Sequence, residues 1–179
     1  MILTGSAIRD AVTRGEIVID PFDPQQLGPN SYDFRLGNRC RIYRDYELDA
    51  ARENPTLELP FPPDGILLQP TRLYLVNTLE RMGSNRYVPI IRGRSSVGRL
   101  GIFIHITSDL IDIGSINQWT LQLHTIGAVR IRPGMLIGQV TFWSVRGQVS
   151  FYSGKYADRE SPVPSLSYLD CLERVPPNV

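Results

Sequence analysis

Apolar and polar residues alternate along most of this chain, and helical spacing is confined to its start. In "TGSAIRDAVTRG", Ile8 and Val12 stand four residues apart, Ser6 is a candidate cap and Gly15 a stop. Residues 4–15 therefore predict one short helix. Beyond it the period falls towards two. The stretches "SYDFRLG" (31–37), "CRIYRDYEL" (40–48), "GILLQPTRLYLVNTLE" (65–80) and "RYVPIIRG" (86–93) predict strands. So do "GIFIHITSDLID" (101–112), "QWTLQLHTIG" (118–127) and "MLIGQVTFWSVRG" (135–147). All are rich in β-branched and aromatic residues and are punctuated by Pro or Gly. "NPTLELPFPPDG" (54–65) reads as a Pro-rich loop, and the tail from Ser153 reads as extended. Many short strands at close intervals predict an antiparallel sandwich, jelly roll or distorted barrel. Without an internal repeat or linker, residues 1–179 are expected to form a single domain.

Composition narrows the classes of function. A chain of 179 residues can bury a real core. Hydrophobic residues at 42% and charged residues at 21% are ordinary for a soluble protein. With 19 basic and 18 acidic residues the net charge is +1, too balanced for a general nucleic-acid coat. The first residues do not resemble a signal peptide, and no apolar stretch reaches the roughly 18–20 residues of a membrane span. Cys40 and Cys171 lie too far apart to suggest a disulfide framework. The expectation is a cytoplasmic protein with no nucleic-acid or membrane partner.

Against that balance, "RGRSSVGRLG" (92–101) is a local concentration of positive charge. Arg92, Arg94 and Arg99 flank two hydroxyls, and Gly98 and Gly101 let the backbone approach a ligand closely. Guanidinium forks and serine hydroxyls suit phosphate oxygens, so the segment points to a polyanion. No GxxxxGK[ST] loop or GxGxxG fingerprint is present. His105 and His124 fall on separate predicted strands with no cysteine pair at ligand spacing, which excludes a zinc-type nucleobase deaminase.

That run, followed in order by "HITSDLIDIG", "TLQL" and "RPGMLIGQ", resembles the deoxycytidine triphosphate deaminase family of the dUTPase-like superfamily. "MILTGSAIRDAV", "IDPFDPQQLGPNSYDFRLG" and the tail "YSGKYADRESPVPS" (152–165) resemble the same family's ends. The resemblance implies a mainly β fold, a distorted β-barrel or jelly roll of the dUTPase-like type with a short N-terminal helix. It implies a homotrimer with sites between subunits and a dCTP- or dUTP-like nucleotide as partner. The implied reaction is metal-free hydrolytic deamination of the cytosine base to give dUTP. Mg²⁺ would arrive with the triphosphate rather than sit in a protein cage.

By the same resemblance, Arg94, Ser95, Ser96, Val97, Gly98 and Arg99 line the nucleotide site. Arg94 and Ser96 would lean towards the phosphates, Ser95 and Arg99 towards the reacting base and its water. Asp112 would meet the deoxyribose. Thr120 and Leu121 would read the base edge through their backbones. Gln139, Tyr152, Lys155 and Arg159 would reach the base, sugar or phosphates. Residues 152–179 would form a nucleotide-covering tail, with 152–165 mobile without ligand and ordered with it.

The chain departs from the family at the position that matters most to chemistry. Where the family has "TLEL", with its glutamate as catalytic base, this chain reads "TLQL" and carries Gln122. An amide can orient water but cannot accept a proton near neutral pH. Activity is therefore expected to be impaired. Ser115, Ile116, Asn117 and Trp119 are also unusual for the family. Their company favours natural divergence over an engineered Glu→Gln change. The alternatives are a dUTPase-like or modified-nucleotide hydrolase, and a non-catalytic nucleotide-binding regulator.

Overall fold

In the computed structural model, which describes residues 1–157, 159 and 161–172, the chain opens with helix α1 (Gly5–Thr13). Thr4, not Ser6, is its cap: the Thr4 hydroxyl accepts from the Ala7 N–H at 3.4 Å. Thr4 is still extended, whereas Ser6 already lies inside the helix. Ile8 and Ala11 bury the inner face, and Gly15, with φ of 70°, ends the helix as expected.

Eleven strands follow among the described residues: β1 (Ile17–Asp20), β2 (Tyr32–Tyr43), β3 (Thr56–Leu59), β4 (Ile66–Leu68), β5 (Tyr74–Thr78), β6 (Arg81–Ser84), β7 (Tyr87–Gly93), β8 (Ile102–Phe103), β9 (Thr120–Thr125), β10 (Val129–Ile131) and β11 (Leu136–Ser144). A single helical turn, α2 (Ser95–Gly98), follows β7, and α3 (Ser167–Leu172) lies near the C-terminus. The order β7-β11-β2-β5-β9-β8, with β3 added on β2, makes a nearly closed, barrel-like antiparallel sheet. Two short antiparallel pairs, β1–β6 and β10–β4, complete it. The fold is mainly β, as the alternation predicts.

Several boundaries differ from the sequence expectation, each for a local reason. The two strands expected at 31–37 and 40–48 are one strand, β2. Gly37–Arg39 is a bulge rather than a turn, and Asn77 supports it by accepting from the Arg39 N–H at 2.9 Å. The Pro-rich loop contains β3, which pairs with the second half of β2 between flanking prolines. The stretch 65–80 splits into β4 and β5 around Pro70. In 101–112 only β8 is strand. The tail is not wholly extended, because α3 forms in it; residues 158, 160 and 173–179 of that tail lie outside the described residues.

Tyr32, Phe34 and Leu36 of β2, Leu121 and Leu123 of β9, and Ile137, Val140 and Phe142 of β11 are fully buried. Strand alternation then turns the intervening residues outwards, among them Asp33, Arg35, Thr120, Gln122 and Gln139. Burial pushes the Cys40 thiol up to about 12, so it stays protonated and inert.

Candidate functional site

The turn after β7 delivers the cationic residues. Arg94 is extended and caps α2, whose Val97 and Gly98 N–H groups both donate to the Arg94 carbonyl, at 3.0 and 2.9 Å. The Val97 side chain sinks into the core and anchors the turn. Ser95, Ser96 and Arg99 are thereby left exposed on its other side. With Arg94, Gln139, Ser31 and Asp33 they line an open cavity of about 530 Å³. Gln139 of β11 stands in register between Asp33 of β2 and Arg92 of β7. Arg94 Nε lies 3.0 Å from Asp33 Oδ2, and Arg92 is drawn aside to Asp109 at 3.3 Å. Gly98 is ordinary helix with open space around it, whereas Gly101 needs its positive φ of 77° for the turn into β8.

A second cavity, of about 520 Å³, holds Asp112, Thr120, Gln122 and Arg159 beside Tyr43, Leu75, Trp119 and Tyr156. Gln122 is held at both ends of its amide. Oε1 accepts from the Ile106 N–H at 3.4 Å and Nε2 donates to the Thr120 carbonyl at 3.3 Å. Leu121, between them, has its side chain wholly in the core, so only its backbone faces the site. Leu121→Ala should cost about 2–5 kcal/mol of stability, as for other buried leucines, measurable by urea unfolding.

The tail closes over this second cavity. Tyr152 N–H donates to the Ile113 carbonyl at 3.0 Å, crossing Gly114, where φ is +90° and a Cβ would meet Phe151. Farther along, the Thr120 hydroxyl pairs with the Ser161 hydroxyl at 2.9 Å and accepts from the Val163 N–H at 2.9 Å. The Ser165 N–H donates to the Tyr43 hydroxyl and the Leu166 N–H to the Tyr156 hydroxyl, each at 2.9 Å. Neither Tyr152 nor Lys155 lines either cavity. Lys155 is ion-paired with Asp170 of α3, a hydrogen bond that raises its pKa, and its carbonyl accepts from Arg159 Nε at 2.8 Å.

The expected site residues thus fall into two groups on one protomer. Arg94, Ser95, Ser96, Arg99 and Gln139 surround one cavity; Asp112, Thr120, Gln122 and Arg159 surround the other. Asp33 joins the first cavity and Tyr43 and Tyr156 the second, with Ser161 bonded to Thr120. Tyr156 and Ser161 fall within the expected tail segment, whereas Tyr43 has no sequence signal and Asp33 only its place opposite the buried Tyr32–Phe34 face. Among the described residues, no cluster of His, Cys, Asp and Glu could hold a metal ion. The first cavity offers two guanidinium groups and hydroxyls against one carboxylate already paired. That donor set suits phosphate oxygens rather than a divalent cation.

A profile of the dCTP deaminase-like family matches residues 2–145. A relative from Clostridium acetobutylicum, named "dCTP deaminase, dUMP-forming", is 42% identical over 173 residues, covering 96% of this chain and 99% of its own. One of the same name from Cytophaga hutchinsonii is 41% identical over 171 residues, covering 95% and 98%. The solved structure of a 2'-deoxycytidine 5'-triphosphate deaminase from Agrobacterium tumefaciens superposes with a TM-score of 0.64 at 22% identity. It covers 79% of this chain and 47% of its own, a likeness of fold. No helix among the described residues is long and apolar enough to cross a membrane.

Proposed function

The chain belongs to the dCTP deaminase-like family, and we propose that it binds a pyrimidine deoxynucleoside triphosphate and carries dCTP towards dUMP, with the deamination step held back by Gln122. The observation that carries this reading is the gathering of Arg94, Ser95, Ser96 and Arg99 around one open cavity. Fixed positive charge, short hydroxyl donors and an accessible surface are what a triphosphate requires. The relatives' names extend the expected product from dUTP to dUMP.

The reaction divides into two hydrolyses. In the first, water adds at C4 of cytosine, the C4–N bond breaks, and dCTP plus water gives dUTP plus ammonia. A proton must leave the water and reach the departing nitrogen. In the second, water cleaves the bond between the α- and β-phosphates, and dUTP gives dUMP plus pyrophosphate. In this reading the group at position 122 serves the first step. Ser95 and Arg99 position the water and the base, Asp112 accepts from the sugar hydroxyl, and Arg94 and Ser96 hold phosphate.

The division of these residues between two cavities supports a site completed by another copy. One protomer would supply the phosphate residues and its neighbour the base and sugar residues, in the homotrimer that the resemblance implies. Leu100, Phe103, Ile106 and Ile126, each more than half exposed beside the phosphate turn, are apolar surface that such packing would cover.

The reading is tested by a nucleotide panel with product analysis, on this chain and on Gln122→Glu. Binding should select pyrimidine deoxynucleoside triphosphates, and dUTP should yield dUMP and pyrophosphate in both forms. No binding of any such triphosphate would overturn the proposal. The tail offers a separate check: the Val163, Ser165 and Leu166 amides should exchange more slowly with deuterium once dCTP is bound. Equal exchange in both states would remove the tail's covering role.

A further inference from the structure

We infer that Asp33 is a positioning residue: it holds the Arg94 guanidinium by its Nε side so that the remaining N–H groups face a nucleotide's phosphate. The inference rests on the reading of the Arg94–Ser96–Arg99 cavity as the phosphate site. It adds a residue from the N-terminal "SYDF" segment, more than sixty positions away in sequence, whose side chain had no assigned role.

The Asp33 backbone has little freedom. Tyr32 and Phe34 on either side are completely buried, so alternation commits the carboxylate to the outer face of β2. Its carbonyl accepts from Gln26 Nε2 at 2.5 Å, and Gln26 in turn reaches the buried Glu80 at 3.3 Å. Register with Gln139 fixes its height in the sheet. The carboxylate is therefore a rigid post. Arg94, by contrast, sits beyond the end of β7 on a flexible stem. Their ion pair, Nε to Oδ2 at 3.0 Å, is largely shielded, with side chains 32% and 22% exposed for Arg94 and Asp33.

A guanidinium has five N–H donors in one plane. Asp33 lies against Nε, leaving the two Nη groups as a fork for phosphate oxygens. Two effects of Asp33 oppose each other. Fixing the fork in advance favours binding, because one rotamer-rich side chain no longer has to be immobilised. The carboxylate's charge also repels the phosphates. The sign of the change on removing Asp33 decides which dominates, and the shielding and short distance favour the first.

The test is a set of dCTP titrations by calorimetry on the unchanged chain, Asp33→Ala, Arg94→Ala and the double variant. Asp33→Ala should weaken binding by about 10-fold, near the upper end for freeing one such side chain. The double variant should bind no more weakly than Arg94→Ala alone, because the favourable effect of Asp33 runs through Arg94. Asp33→Glu should recover part of the loss. Asp33→Asn, nearly isosteric, serves if the alanine variant does not fold, and it should also bind more weakly. Unchanged or tighter binding in the Asp33 variants, or additive losses in the double variant, overturns the positioning role while leaving the phosphate site intact. Normal binding by Arg94→Ala removes the phosphate reading and the inference together.

Discussion

Replacing Gln122 with glutamate should raise ammonia release from dCTP by at least about 10², the lower end of what general acid–base help contributes. The position is already built for a side chain of this length. Leu121 and Leu123 lock β9 into the core, so residue 122 must face the cavity. The Ile106 N–H that now donates to the amide oxygen would donate equally well to a carboxylate oxygen. What changes is the other end. Nε2 now donates to the Thr120 carbonyl, and a carboxylate oxygen there meets an acceptor unless it carries a proton. That contact would raise the new carboxyl's pKa and suit it to taking a proton from water and passing it to ammonia. The gain should appear in kcat far more than in dCTP affinity, because the proton transfer belongs to the transition state. Brisk deamination by the glutamine form would show that another group is the base. Absence of deamination in both forms would move attention to the divergent Ser115–Trp119 segment that lines the same cavity.

Glu80→Ala should be the most damaging single change to the fold away from the hydrophobic core. The Glu80 carboxylate is wholly buried and accepts from Arg35 Nε at 2.7 Å, the Arg35 N–H at 2.8 Å and Gln26 Nε2 at 3.3 Å. Removing it strands three donors at once. Breaking a buried pair in this way costs about 3–5 kcal/mol, and the lower end applies because Arg35 is a quarter exposed and can recover some water. For a chain of this size that is a fall in Tm of roughly 6–12 °C. Differential scanning calorimetry of the variant measures it, and a fall under about 2 °C would show that water already satisfies the cluster. Because Gln26 also holds the Asp33 carbonyl, the same variant should loosen the phosphate cavity.

Much of this was legible in the sequence, and the exceptions share a cause. The alternation in "TLQLHT" predicts β9 and its facing residues, and the Arg/Ser run predicts an exposed cationic turn, because both are local signals. The strand β3 hid inside a Pro-rich stretch: prolines outside the pairing segment do not prevent the four residues between them from joining β2. The short strands β1, β6 and β10 have no length of pattern to detect, and only their partners make them visible. The Lys155–Asp170 ion pair has no local signal either, because α3 brings the carboxylate to the lysine across fifteen positions. The separation of Arg94 from Gln122 into different cavities is likewise a property of the nearly closed sheet, not of any spacing along the chain.

The most direct measurement is a crystal structure of the unchanged chain grown with dCTP and Mg²⁺. Slow deamination should leave the substrate intact. The phosphates should then lie against Arg94 and Ser96 of one copy, whose Ser95 and Arg99 face the cytosine and its water. The cytosine should lie against Thr120 and Gln122 of another. A triphosphate bound away from Arg94, or dUMP in place of dCTP after the long exposure of crystal growth, would contradict the account.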